Sequence, residues 1–306
     1  MERDEKFGIL YTSSAFLIWG FLPIYWKQME HISSGEILAY RIIWSFIFMI
    51  AVVFLTRNSN TFYLELRTLI KDRKKALSII FASLFISLNW LLFIWAVNQE
   101  HVIQVSLGYY INPLISILLG IIVLKEKASK IQVISFTLAG IGVLYLTFSF
   151  GVFPWISLAL AFSFAFYGLL KKTVQISSMF GLTIETFIVT PISLLYIFLL
   201  PNPSFSIGSE FISVTSLYLI GSGVVTAIPL LLFGSGTKSI PLAMVGLLQY
   251  IAPTIMLILG VFMYNETFTS AHLIAFIFIW TALFLYMGSH YKAALRQKQN
   301  KSYKIS

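Results

Sequence analysis

Long apolar runs, separated by short polar or turn-forming stretches, dominate the chain from end to end. The first five lie near 7–27, 36–56, 76–98, 102–124 and 131–149, and five more near 154–170, 181–200, 213–234, 242–263 and 271–290. Each approaches the roughly 20 residues that a helix needs to cross a hydrocarbon core. In lipid a spanning segment must satisfy its own backbone hydrogen bonds, so runs of this length read as helices. The pattern predicts an all-α polytopic membrane protein of ten transmembrane helices, numbered here span 1 to span 10. Tight turns must reverse the chain between Asn98 and Val102 and between Phe150 and Pro154. Phe7 to Trp26 lacks a clear small-residue cleavage site, so span 1 reads as a retained anchor rather than a removable signal.

Lysine and arginine near span ends are held on the cytoplasmic side, which allows orientation to be argued from the same pattern. With the N-terminus inside, 19 of the 21 basic residues fall in inside segments, Lys27 falls outside and Arg41 lies within span 2. That imbalance predicts both termini in the cytoplasm, with loop 57–75 inside and 28–35 and 201–212 outside. The cluster Arg73-Lys74-Lys75 reads as a topology signal before span 3, with an anionic-lipid site as the alternative.

The two halves of the chain also match one another. At an offset of 140 residues Val105 pairs with Val245, Leu107 with Leu247, Tyr110 with Tyr250, Ile111 with Ile251, Pro113 with Pro253, Gly120 with Gly260 and Glu126 with Glu266. Leu91-Leu92-Phe93 against Leu231-Leu232-Phe233 carries the register into spans 3 and 8. Since the repeating unit has five spans, an odd number, the second copy runs through the membrane in the opposite direction. The expected organisation is a first five-helix repeat over 1–149, an inverted second repeat over 150–291 and a basic cytoplasmic tail over 292–306. Inverted repeats with a site at their interface are an architecture of secondary transporters.

Composition narrows the classes further. Apolar residues make up 58% of the chain and charged residues 11%, less than half the charged share of a soluble domain. A net charge of +9 would raise nucleic acid as a partner for a soluble protein, but here the topology accounts for it, and membrane lipid is the expected surrounding. There is no cysteine, His31, His101, His272 and His290 are isolated, and no HExxH, nucleophile elbow or Walker spacing occurs. The expectation is a protein with no enzymatic activity, no cofactor and no metal.

Candidate chemistry therefore rests on polar groups inside spans. Span 4 places Ser106, Tyr109, Asn112 and Ser116 on about a third of its circumference. Such a stripe either lines a solute cavity or hydrogen-bonds to neighbouring helices, and both readings stay open. Gln249 occupies the repeat position of Tyr109, beside Tyr250, the mate of Tyr110. Asn89, Trp90, Trp95 and Asn98 in span 3, Trp19 in span 1 and Tyr167 in span 6 complete the cavity candidates, since rings with a polar edge suit amphipathic or cationic ligands. Pro113 and Pro253 are hinge candidates or static kinks. Two charges are embedded: Arg41, eight residues after Ser33, and Glu185, eight after Ser177 at the repeat position. Each calls for a partner or a watery path, and their depths make a direct pair doubtful. Glu185 is the candidate for carrying a coupling proton, with bracing of helices as the alternative.

At Asn89-Trp90-Leu91-Leu92-Phe93-Ile94-Trp95-Ala96-Val97-Asn98, followed by Ser106-Leu107-Gly108-Tyr109-Tyr110-Ile111-Asn112-Pro113, the chain resembles the RarD branch of the EamA-type drug/metabolite transporters. Phe16-Leu17-Ile18-Trp19-Gly20, Arg41-Ile42-Ile43-Trp44-Ser45, Ile184-Glu185-Thr186 and Gln249-Tyr250-Ile251 extend the likeness over nearly the whole chain. The resemblance implies a ten-helix inverted-repeat fold in the bacterial cytoplasmic membrane, with a central cavity lined by both halves. It also implies a small-molecule substrate, often moved outward. The branch is named for chloramphenicol sensitivity, which fixes no substrate. Small-multidrug relatives use an acid in their first helix, and span 1 here has none, so that coupling scheme does not carry over. The functional expectation is a secondary transporter of a small polar or amphipathic metabolite or drug working by alternating access. A lipid scramblase and a metabolite-binding regulator are the alternatives. Oligomeric state is not readable from the chain.

Overall fold

A computed structural model describes residues 3–98, 101–151, 155–174, 176–205, 213–263 and 269–303. The described residues form twelve α-helices: α1 (Arg3–Lys27), α2 (Ser34–Leu55), α3 (Ser59–Lys71), α4 (Arg73–Asn98), α5 (Val102–Ile122), α6 (Lys130–Phe150), α7 (Trp155–Thr173), α8 (Ser178–Leu199), α9 (Val214–Ser239), α10 (Leu242–Leu248), α11 (Ile251–Met263) and α12 (Ser270–Tyr303). Among them, nine spans are long and apolar enough to cross a membrane when α10 and α11 are taken as one, and α5 adds the shorter apolar stretch Leu107–Ile122. The ten expected spans are thus α1, α2, α4 to α9, α10 with α11, and α12.

Local chemistry sets the ends. Ser33 accepts a hydrogen bond from the Glu36 N–H at 3.4 Å to start α2, and Ser129 with Gln132 forms a reciprocal capping box at the start of α6. Gly151 closes α6 at φ 65°, a left-handed conformation that glycine adopts without a Cβ penalty. The stretch read from sequence as loop 57–75 contains the helix α3. Its Phe62, Leu66 and Leu69, at helical spacing, pack against Ile79, Val174, Ile176 and Ile184. The Phe62 ring meets Phe180 at 5.4 Å, and the Glu65 carboxylate accepts the Ser177 N–H at 3.3 Å.

Contacts between the two halves come in repeat-related pairs. The packing of α1 on α9 is matched by that of α7 on α4, that of α2 on α9 by α8 on α4, and that of α5 on α7 by α11 on α1. On the pseudo-symmetry axis α2 meets α8, α5 meets α10, and α6 meets α12. Small residues permit the closest crossings. A Cβ at Gly223 would fall inside the backbone of Trp44 and Ser45, and the Ser45 hydroxyl donates to the Gly223 carbonyl at 2.9 Å. At Gly246 a Cβ would stand 2.7 Å from the Pro113 carbonyl oxygen.

Span 9 is not one helix. It breaks at Gln249 and Tyr250 between α10 and α11, four residues before Pro253. Pro253 has no N–H for the Gln249 carbonyl and its ring crowds that carbonyl, which instead accepts from Ala252 at 3.2 Å. The repeat mate, Pro113, lies inside a continuous α5. There the Tyr250 hydroxyl donates to the Tyr110 carbonyl at 3.3 Å, next to the Tyr109 carbonyl that Pro113 leaves without its helical donor.

Candidate functional site: two charged niches and an aromatic partition

Arg41 lies two turns into α2 and is 9% exposed. Its guanidinium carbon stands 4.1 Å from the Trp90 ring centre and 4.9 Å from that of Trp26, so α4 and the end of α1 both bear on it. Its Nε donates to the Thr226 hydroxyl of α9 at 3.2 Å. The Tyr109 hydroxyl lies within electrostatic reach. Among the described residues no carboxylate lies within ion-pair distance of Arg41. The acid on its own helix, Glu36, is turned to loop 201–205, where it accepts from both the N–H and the hydroxyl of Ser204. Beside that clasp, Phe205 rests on Tyr40 at 5.4 Å and on Trp44 at 6.1 Å, forming a stopper at this end of the bundle.

Towards the other end, aromatic rings fill the space between the halves. Trp19 meets Phe164 at 5.7 Å, Phe233 at 5.5 Å and Phe16 at 5.4 Å, and Tyr167 stacks on Phe233 at 5.9 Å. Offset and edge contacts of this kind are worth about 0.5–1.5 kcal/mol per pair beyond burial. Trp19 and Tyr167, both expected at a cavity, therefore share one packed partition.

Glu185 lies beyond that partition, 4% exposed. Its Oε1 accepts from the Lys171 ammonium at 2.8 Å and its Oε2 from the Tyr167 hydroxyl at 3.3 Å. Lys171 is itself 5% exposed, so the ion pair is buried on both sides. Nearby, Lys238 donates to the Ile176 carbonyl. The next lysine, Lys172, donates to the Ile240 and Thr237 carbonyls at the end of α9 and stands 3.8 Å from Glu126. Glu126 accepts the Leu242 and Ala243 N–H groups at 2.7 and 3.0 Å, so a carboxylate from the α5–α6 connection caps α10. A recess of about 460 Å³ opens beside this cap, among Lys127, Gln132, Lys172, Lys238 and Tyr286.

The remaining candidates separate into braces and open groups. Asn89 donates to the Leu160 carbonyl at 2.8 Å and to the Ser163 hydroxyl at 2.9 Å, tying α4 to α7. Gln249 exchanges hydrogen bonds with Ser116 at 3.2–3.4 Å across the crossing of α5 and span 9. Tyr110 and Tyr250 are buried at the same crossing. Trp95 is 41% exposed and turns away, against Trp155 and His101. Asn112, by contrast, buries an Oδ1 that no described group satisfies. The side chains of Asn98 and Ser106 lie outside the described residues.

Sequence reasoning passed over Trp26, Thr226 and Lys171. Trp26 stands at the very end of span 1, where an aromatic reads as an interfacial anchor, and Lys171 reads as a topology charge. The four-residue spacing from Tyr167 to Lys171, which puts both on one face of α7, was the available signal for the latter.

Comparison with known proteins now bears on the geometry. The EamA-like transporter family matches this chain twice, over residues 6–148 and again over 153–288. The chain belongs to the EamA-like transporter family. An uncharacterized transporter of Bacillus subtilis (strain 168), YojE, is 47% identical over 291 residues, covering 95% of this chain and 97% of the relative. Protein RarD of Escherichia coli (strain K12) is 39% identical over 285 residues, covering 93% of this chain and 95% of its own. A solved structure with 17% identity superposes with a TM-score of 0.69, covering 91% of this chain and 96% of its own, and supports the fold. The two EamA-like matches meet at the Gly151 turn that ends α6. This is a multi-pass transporter of a bacterial family, and the halves that pack against each other are its two family units.

Proposed function

We propose that this EamA-like protein is a secondary transporter of the bacterial cytoplasmic membrane, moving a small polar or amphipathic solute by alternating access. Both termini are cytoplasmic in this reading, and the repeats run over 1–149 and 150–291 with a basic tail beyond. Outward movement rests on the resemblance. The observation that supports the proposal is the pairing of contacts: the main packings of one half on the other have repeat-related counterparts. Two inverted halves that exchange conformations turn a site at their interface from one side to the other.

The latches suit that cycle. At the outer end Glu36 clasps Ser204 beneath Phe205, and at the inner end Glu126 caps α10 beside Lys172. Arg41, Trp90, Tyr109 and Asn112 lie on the outer side of the aromatic partition as solute contacts, with Trp19 and Tyr167 in the partition itself. Asn89 and Gln249 hold the surrounding helices in register, and Pro113 and Pro253 supply the bend.

The chain has no cysteine, so introduced thiols report without background. Single cysteines at Asn202 and Asn60 should label from outside and inside respectively; the reverse would overturn the orientation. Bridging Glu36→Cys to Ser204→Cys with a short thiol crosslinker should increase inside labelling of Ala243→Cys. Unchanged labelling would mean that the two ends are not coupled, which alternating access does not permit.

A further inference from the structure

Among the described residues, the buried Glu36 is held by the Ser204 N–H and hydroxyl, and the embedded Glu185 and the half-buried Lys172 each have a counter-charge within reach, whereas the embedded Arg41 does not. Glu185 has Lys171 at 2.8 Å and Lys172 has Glu126 at 3.8 Å. Arg41 has none among the described residues, although a charge in the membrane interior costs roughly 3 kcal/mol or more. The side chain offers five N–H donors, of which Nε alone meets an oxygen of the described residues, that of Thr226. Trp26 and Trp90 stack on the guanidinium and orient it, but an aromatic quadrupole does not neutralise a full charge. Stacking also leaves the in-plane donors of the terminal nitrogens free, and these form the fork that receives a carboxylate through two parallel hydrogen bonds.

Building on the transport reading above, we propose that Arg41 is the anion-binding point of the transport site, and that the solute is an organic monocarboxylate with an apolar or aromatic body. The single guanidinium matches a single negative charge. A phosphate monoester, carrying about −1.5 to −2, would leave uncompensated charge in the same niche. The walls are indole rings, which favour a flat apolar body over a highly hydroxylated one. The solute is the missing counter-ion, and Arg41 is most fully stabilised when the site is loaded.

The test is binding to the purified full-length protein in detergent, by calorimetry and thermal shift. The probes are benzoate and indole-3-acetate, set against benzamide, indole-3-acetamide, tryptamine and phenyl phosphate. The carboxylates should bind and raise the melting temperature while the amides and the amine do not. Arg41→Gln should weaken carboxylate binding by about 30-fold or more, as expected for removing one partner of a buried charge pair. Arg41→Lys, which keeps the charge without the fork, should bind with intermediate affinity, and Thr226→Val, which frees Nε, should also weaken it. If neither carboxylate binds, if the amides or tryptamine bind as well, if phenyl phosphate binds more tightly, or if Arg41→Gln binds like the parent, the proposal is overturned. Should Arg41→Gln not fold, Arg41→Lys and Thr226→Val carry the test, and parental affinity in both overturns it. Carboxylate binding with no flux into proteoliposomes would instead sink the transport reading and leave the anion site standing. Flux of an amine without carboxylate binding would do the opposite.

Discussion

Arg41 and Glu185 each stand eight residues beyond a helix-leading serine at matching positions of the two halves, yet their surroundings differ in kind. Glu185 is enclosed with a lysine and a tyrosine hydroxyl, and its charge is spent inside the protein. Arg41 is framed by two indoles and a threonine and faces no described acid. At corresponding places in the two family units, one niche is a strut towards one end of the bundle and the other, towards the opposite end, has no described acid. The difference teaches where to look for solute, because a strut needs its partner in the same chain whereas a binding site leaves that partner to be delivered.

The largest effect that would test this contrast is on the strut. Glu185→Leu or Lys171→Met alone should destabilise the protein by about 3–5 kcal/mol, since each leaves a buried charge without its partner. The double substitution should come back close to the parent in an unfolding titration. Equal instability of single and double variants would show that the pair is not a unit. Tyr167→Phe should have a smaller effect, about 1.5–3 kcal/mol, from loss of one hydrogen bond to the buried carboxylate. A much larger loss would place the tyrosine, rather than the lysine, as the main partner of Glu185. The smallest effect on stability belongs to Arg41. Arg41→Met forfeits two cation–π contacts of about 0.5–2 kcal/mol each but also removes a desolvation cost of several kcal/mol, so the terms nearly cancel. Its melting temperature should stay near or above that of the parent while carboxylate binding is lost. A collapse as deep as that of Glu185→Leu would make the two niches alike and both structural.

Much of this was readable from residue order, because a bilayer imposes one length and one backbone solution on every span. The positions of α1, α2 and α4 to α9 follow from apolar runs, and the repeat register from matches such as Pro113 with Pro253. What escaped was set by reach and by neighbours. Lys171 was counted with the loop charges, since pattern alone does not show a long aliphatic arm folding inward to Glu185. The helix α3 was hidden by its charges, although Phe62, Leu66 and Leu69 carry the helical period. Asn89 and Gln249 looked like cavity linings and are found in bonds to Ser163 and Ser116, a distinction that depends on which helix lies opposite. Nor does the sequence distinguish the two prolines, because the hydroxyl that bonds α5 beside Pro113 comes from the other half of the chain.

The interruption of span 9 gives the bundle a joint whose two arms belong to different neighbours. The arm before the break lies against α5, where Gly246 meets the Pro113 carbonyl; the arm after it lies against α1, where a Cβ on Gly20 would stand 2.8 Å from Ile255. A continuous rod would force α1 and α5 to tilt together, whereas two levers on a common pivot let each follow its own load. Pairs of spin labels should register this as a change in the angle between the arms, with the length of each arm preserved, whenever one mouth of the protein opens and the other shuts.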